Sequence, residues 1–258
     1  MSILRSGSRI TGGRWPARLS WLALLLLIVA ALLMAGAGPG YRLEWLGLGA
    51  AFGVLRYGVY VAIGAGAMGM LALLAAGLNR RAGPALAAGL VVVSALALLA
   101  VPWQLWQRAQ QVPPIHDITT DTGNPPAFVA LAAAREAAPN AVDYPGTGTA
   151  RQQIEAYPDI RPLVLDLPLD LVRNAVETTA LDQGWEIVAI TDHGLEATAT
   201  TLWFGFKDDV VIRLSETDGG TRVDMRSASR LGRSDLGTNA GRIRTFLEAL
   251  TQRVAATQ

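Results

Sequence analysis

The sequence has no cysteine, which excludes disulfides, thiolate metal sites and a cysteine nucleophile. It is also poor in charge: acidic and basic residues make up 17% of the chain and leave a net charge of +1. That balance gives no support to nucleic-acid binding, which needs a dense basic face to neutralise phosphates. Other absences narrow the chemistry further. No G-x-S-x-G nucleophile elbow and no H-E-x-x-H zinc pair occurs. "DYPGTGTA", residues 143–150, lacks the glycines and the following lysine of a phosphate loop. No cofactor or metal is expected from these patterns.

What is abundant is apolar sequence, 51% of the residues. The excess lies before about residue 106, and most of the acids lie after it. The pattern predicts a membrane domain over 1–106 and a soluble domain over 107–258. "LSWLALLLLIVAALLMAGAG", 19–38, is an uncharged run long enough to cross the hydrocarbon core of a bilayer. A cleaved signal peptide is the rival reading, since Arg5, Arg9, Arg14 and Arg18 precede the run, but its length and the spans that follow favour a retained helix.

A second span is expected at about 57–78. Arg56 would sit at its interface, and "YRLEWLGLGAAFGVLR" is read as an interfacial or re-entrant stretch. A third span is expected at about 84–103, with Trp103 and Trp106 as interfacial aromatics. Gly58, Ala62 and Gly66 form a small-residue stripe that permits close helix packing, within the bundle or against a partner. Arginines cluster before the first span and at Arg80 and Arg81, which predicts a cytoplasmic N-terminus and an extracytoplasmic, or periplasmic, C-terminal domain. No span carries an acid or histidine at mid-depth, so the helices read as an anchor in the plasma (inner) membrane rather than as a transporter.

Residues 107–162 are expected to be loop with short helical pieces, one of them at 128–138. Beyond them the pattern sharpens into a strand at 163–168, a helix at 169–182, strands at 185–191, 195–206, 210–216 and 221–227, and a helix from about 237–239 onward. Turn signals stand at Asp192-His193-Gly194, Lys207-Asp208-Asp209 and Asp218-Gly219-Gly220. These short connections predict an antiparallel sheet with two packing helices, an α+β two-layer sandwich.

Two segments stand out. "RVDMRSASRLGRSDLGTNAGRIRTFLEAL", 222–250, holds six arginines around small polar residues at the entry to the last helix. Arginines and hydroxyls near a helix N-terminus suit phosphate, sulfate or carboxylate. This makes Arg226, Ser227, Ser229, Arg230, Arg233, Asp235, Asn239 and Arg242 a ligand-binding set for an anionic ligand, an anionic lipid head group or an envelope partner. The structural alternative has Asp235 pairing with an arginine, Thr238 or Asn239 capping the helix, and Asp224 pairing across the sheet. Strand alternation points Arg226 away from the apolar core.

The other segment, "PPIHDITTDTGNPPAF" at 113–128, offers His116, Asp117 and Asp121 as acid-base or metal groups, or simply as turn formers. Together the two segments resemble the hallmark sequences of DUF1499, a domain family of unknown function found in envelope proteins of proteobacteria and in plastid proteins. The resemblance spans 112–255 and implies domain limits and an envelope location, without a reaction. Three functions stay open on sequence: a non-catalytic membrane-anchored binding module, an envelope hydrolase or transferase using His116, Asp117 or Asp121 beside the arginines, and an assembly subunit joined through Gly58, Ala62 and Gly66.

Overall fold

The computed structural model describes residues 14–256, so Arg5 and Arg9 of the basic N-terminal run lie outside the described residues. The chain divides into two compact units, Met1–Gln104 and Leu105–Gln258. Three helices dominate the first: α1 (Trp15–Arg42), α2 (Leu48–Leu78) and α3 (Ala82–Gln111), each long and apolar enough to cross a membrane. Pro16 stands in the first turn of α1, where its missing N–H costs nothing.

All three helices outrun the spans expected from hydropathy, because a helix continues into polar flanks as long as its backbone stays hydrogen-bonded. The stretch expected to be interfacial or re-entrant, 41–56, is mostly helical. Leu48 to Arg56 runs into α2 without a break, so Arg56 lies within the helix and not at its start. The small-residue stripe is used inside the bundle: a side chain at Gly58 would come within 2.5 Å of Met34 and 3.3 Å of the Ala30 carbonyl on α1, and one at Gly66 would meet Ala95 on α3. Ala62 between them is fully buried. The stripe thus serves close packing within the bundle.

The second unit is an antiparallel sheet backed by helices. After β1 (Asp117–Thr119) come α4 (Ala132–Glu136), α5 (Thr147–Ala156), β2 (Leu163–Leu165), α6 (Leu169–Asp182), β3 (Glu186–Thr191), β4 (Gly194–Thr200), β5 (Lys207–Thr217), β6 (Gly220–Ser229) and α7 (Thr238–Ala255). The spatial order is β1-β6-β5-β4-β3, and β2 joins β6 along the same edge as β1. β1 faces Arg226–Ala228 and β2 faces Thr221–Val223.

Helical spacing buries Val172, Val176 and Ala180 of α6 and Ile243, Phe246 and Leu250 of α7 against Val210, Ile212, Leu214, Val223 and Met225. Trp185 stacks on Phe246 at 5.0 Å. Each such fully buried large side chain contributes about 1.5–3 kcal/mol. The expected two layers are present, but the other sheet face is also covered. The segment after β1 lays Phe128 and Leu131 over Val211 and Ala228.

The segment Lys207-Asp208-Asp209 is not a turn. It opens β5, and the β4–β5 connection is the apolar loop Thr201–Phe206. Two adjacent aspartates resemble a turn signal only until their partners are known, and here both are buried against arginines. Sequence reading also missed β1 and the ten-residue α5. Gln153 of α5 is buried and pairs its amide with both backbone groups of Thr119, at 3.0 and 2.6 Å. It thereby covers an edge strand that would otherwise present open hydrogen-bonding groups.

Candidate functional site

Alternation along β6 decides where each side chain of the arginine-rich segment goes. Ser227 and Ser229 point to the helix side. There Asn239, fully buried in the first turn of α7, ties them together. The Ser227 hydroxyl donates to Asn239 Oδ1 at 2.7 Å, and Asn239 Nδ2 donates to Ser229 Oγ and to the His116 carbonyl, each at 3.0 Å. Arg242 donates to the same Asn239 oxygen and to Ser227, and its other nitrogen reaches Asp208 at 2.6 Å. The result is a saturated polar plug between the sheet and α7.

The α7 N-terminus is closed by Asp235. Its two carboxylate oxygens accept the backbone N–H groups of Gly237 at 2.8 Å and Asn239 at 2.7 Å. Leu236 and Gly237 turn the chain into the helix through successive left-handed conformations. The expected pairing of Asp235 with an arginine is thus replaced by a capping role, and neither Thr238 nor Asn239 caps. Burial pushes the Asp235 carboxyl above its ordinary range despite those two N–H donors.

On the opposite sheet face Arg226 is buried, as is Asp117 of β1. The two make a two-pronged ion pair, Nε to Oδ1 at 3.0 Å and Nη2 to Oδ2 at 2.8 Å. Arg226 also donates to the Pro126 and Val142 carbonyls. Arg135 of α4, fully buried, donates to Asp209, to the Ala228 carbonyl and to the Ala141 carbonyl. Both guanidinium carbons stand over the Phe128 ring, at 4.6 Å for Arg135 and 4.7 Å for Arg226. Arg230 completes the row with a bidentate grip on Asp209 that raises its pKa, while desolvation lowers that of Arg135.

Asp121 belongs to a different cluster. One oxygen closes a turn with the N–H groups of Gly123 and Asn124, and the other accepts from Arg222 at 2.9 Å and Arg213 at 3.3 Å. Asp224 is shared by the same two arginines. The structure therefore joins the two hallmark segments twice, pairing Asp117 with Arg226 and Asp121 with Arg222, and it shares Asp121 with Arg213 of β5. His116 contributes its carbonyl to Asn239 and Ser229, and its Nδ1 is sequestered without a partner. Arg233 is exposed in the loop before α7. No group of three histidines or acids among the described residues is placed to hold a metal.

Residues that sequence reading missed complete the arrangement. Arg135 lies in the alanine-rich helix α4, where nothing local in the sequence marks it as buried. Asp208 and Asp209 were legible in principle: extending the β5 alternation backward from Val211 puts Asp209 on the covered face and Asp208 toward α7. Glu196 of β4 accepts the backbone N–H groups of Val129, Ala130 and Leu131 at 2.8, 3.0 and 2.9 Å. It fills an anion nest with the protein's own carboxylate.

Beside that nest lies a groove of about 250 Å³, bounded by Pro126, Ala127 and Val129 on one side and by Ala189, Val211 and Arg213 on the sheet. Arg213 uses only Nη2 for Asp121, Asp224 and the Asn124 carbonyl. Its Nε and Nη1 donate to no group among the described residues.

The family model described as a protein of unknown function, DUF1499, matches residues 117–250, which is 134 of the 258 residues. The chain belongs to the DUF1499 family. Its matched region begins at β1 and ends in α7, so the DUF1499 unit is bounded by Asp117 and the Leu250 turn of the last helix. No curated protein matches the chain. Among solved structures, the crystal structure of protein MLL2253 from Mesorhizobium loti is similar over 38% of this chain and 99% of its own, at 17% identity and a TM-score of 0.31.

Proposed function

We propose that this chain is a non-catalytic, membrane-anchored binding module of the cell envelope. Its N-terminus is cytoplasmic, and its DUF1499 domain faces a periplasm or the cell exterior. Orientation rests on the arginines flanking α1 and the α2–α3 turn against the single Arg42 between α1 and α2. The anion-binding role expected of the arginine-serine segment passes to Arg213. Arg226, Arg230 and Arg242 hold internal carboxylates and fasten the segment after β1 to the sheet, whereas Arg213 brings unused donors to an open, mostly apolar groove. That contrast carries the reading, and it favours a ligand with an apolar body and one carboxylate or phosphate end. The hydrolase alternative loses support because Asp117 is locked to Arg226 and Asp121 lies in another cluster.

The test compares medium-chain fatty acids with the matching alcohols in thermal-shift measurements on the full chain in detergent. The acid is expected to raise the melting temperature, the alcohol to do little, and Ala189→Trp, which fills the groove without touching an ion pair, to abolish the response. A shift that is equal for acid and alcohol, or that survives Ala189→Trp, overturns the assignment.

A further inference from the structure

The β4–β5 loop, Thr201-Leu202-Trp203-Phe204-Gly205-Phe206, is apolar where a hairpin connection is ordinarily polar. Leu202 is 91% exposed and Trp203 is 38% exposed. The loop is built rather than slack: Thr201 N–H donates to the Phe206 carbonyl, Phe206 N–H donates to the Thr201 hydroxyl, and Gly205 N–H returns to the Thr201 carbonyl. Trp203 meets Phe204 edge-on at 5.0 Å, and Phe204 stacks on Phe206 at 4.9 Å. A stiff aromatic base thus presents one aliphatic and one indole side chain to the outside.

The strand register places this loop at a particular end of the sheet. β5 begins there at Lys207, β6 ends there at Ser229, and β1 begins there at Asp117. Lys207 also accepts the Arg230 N–H through its carbonyl. The chain arrives at that same end from α3, with only Val112–His116 between the helix and β1. Lys207, the sole lysine of the protein, directly follows the loop and is exposed, and Arg233, also exposed, comes three residues after the Arg230 that bonds the Lys207 carbonyl.

From this juxtaposition we infer that the Thr201–Phe206 loop inserts into the interfacial region of the bilayer that anchors the chain, with Leu202 and Trp203 among the lipid headgroups and upper acyl chains and Lys207 and Arg233 against anionic headgroups. Tryptophan favours that depth because its ring is apolar while its N–H needs a polar partner. Basic side chains beside an apolar contact add attraction to an anionic leaflet. A short connection to a membrane-spanning helix at the same end of the sheet keeps the loop at high effective concentration near lipid.

The inference rests on the membrane reading of the three helices, and one experiment separates the two. Because the protein has no cysteine, Leu202→Cys gives a unique site for an environment-sensitive fluorophore on a residue that is 91% exposed. Asp218→Cys, at the exposed tip of the β5–β6 hairpin on the far end of the sheet, is the control. The labelled full chains are reconstituted into vesicles of phosphatidylethanolamine and phosphatidylglycerol carrying a spin-labelled quencher lipid.

The expected result is a blue-shifted label at 202, quenched several-fold more strongly than the label at 218. Equal quenching at the two sites in protein that has incorporated overturns the loop insertion alone. Failure of the chain to incorporate overturns both it and the membrane anchor. Protection of 202 that grows with protein density at fixed lipid assigns the loop to a second copy of the chain and overturns the lipid contact.

Discussion

Arg226 and Asp117 form a two-pronged ion pair at 3.0 and 2.8 Å with side-chain exposures of 3% and 1%, and they come from the two segments that identify the family. β1 is a short strand, so this pair and the Gln153 clamp are what seat the start of the domain on β6. Asp117→Asn is expected to destabilise the domain by about 3–5 kcal/mol, because it leaves a buried guanidinium without its counter-charge. The double replacement Asp117→Asn, Arg226→Met should recover much of that loss, since no unpaired charge remains. Denaturant unfolding of the full chain in detergent, followed by a probe in the soluble domain, measures both. A single mutant as stable as the native protein would show that the pair is not what fastens β1.

Tyr144 lies against Arg226 with its hydroxyl sequestered and without a hydrogen-bond partner. Burial, followed by the nearby Asp117 carboxylate, pushes its pKa up to about 12. In the unfolded chain the phenol ionises near pH 10. Its folded pKa is the higher of the two, so its contribution to stability is complete below pH 10 and is lost as pH rises toward 12. Tyr144→Phe is therefore expected to leave stability at neutral pH unchanged or raised by up to about 1 kcal/mol. It should also flatten the loss of stability between those two values, as a pH series of thermal unfolding would show.

Glu196 is the acid on which the covering segment hangs. Replacing it with glutamine removes the negative charge and leaves one oxygen to serve the three N–H groups of Val129, Ala130 and Leu131. The expected cost is about 1.5–3 kcal/mol, concentrated locally. Hydrogen exchange at those three amides should accelerate well before exchange in β5 or β6 does, and ligand binding in the adjacent groove should weaken with it. Uniform acceleration across the sheet would show instead that Glu196 supports the fold as a whole.

Much of this architecture was legible in the sequence. The helix at 169–182 and the four long strands follow from apolar periodicity, because those elements bury one continuous face, and the membrane helices follow from uncharged length. The arginine-rich segment was legible as strand, loop and helix entry, but not in its chemistry. An arginine facing solvent and an arginine facing a buried aspartate across the sheet read alike, and the deciding partners, Asp208, Asp209 and Arg135, are distant in sequence or resemble a turn or an exposed helix. β1 was invisible because three residues carry too little periodicity and depend on Arg226 and Gln153 for their place. The groove at Arg213 could not be foreseen, since it exists only where the segment after β1 stops short of covering β3.

The proposed orientation in the membrane rests on charges that no tertiary contact determines. Arg14 and Arg18 precede the apolar stretch of α1, Arg80 and Arg81 lie in the turn between α2 and α3, and only Arg42, the last residue of α1, stands at the α1–α2 connection. In the proposed orientation the arginine-rich short segments stay on the cytoplasmic side, and three crossings carry the residues after α3 to the other side. An alkaline phosphatase fused after residue 110 should be active, and one fused in the α2–α3 turn inactive. Replacing Arg80 and Arg81 with asparagine should weaken that asymmetry, and moving two arginines into the α1–α2 turn should invert it in part of the population. Activity of the turn fusion in place of the residue-110 fusion would put the DUF1499 domain, its groove and its aromatic loop in the cytoplasm.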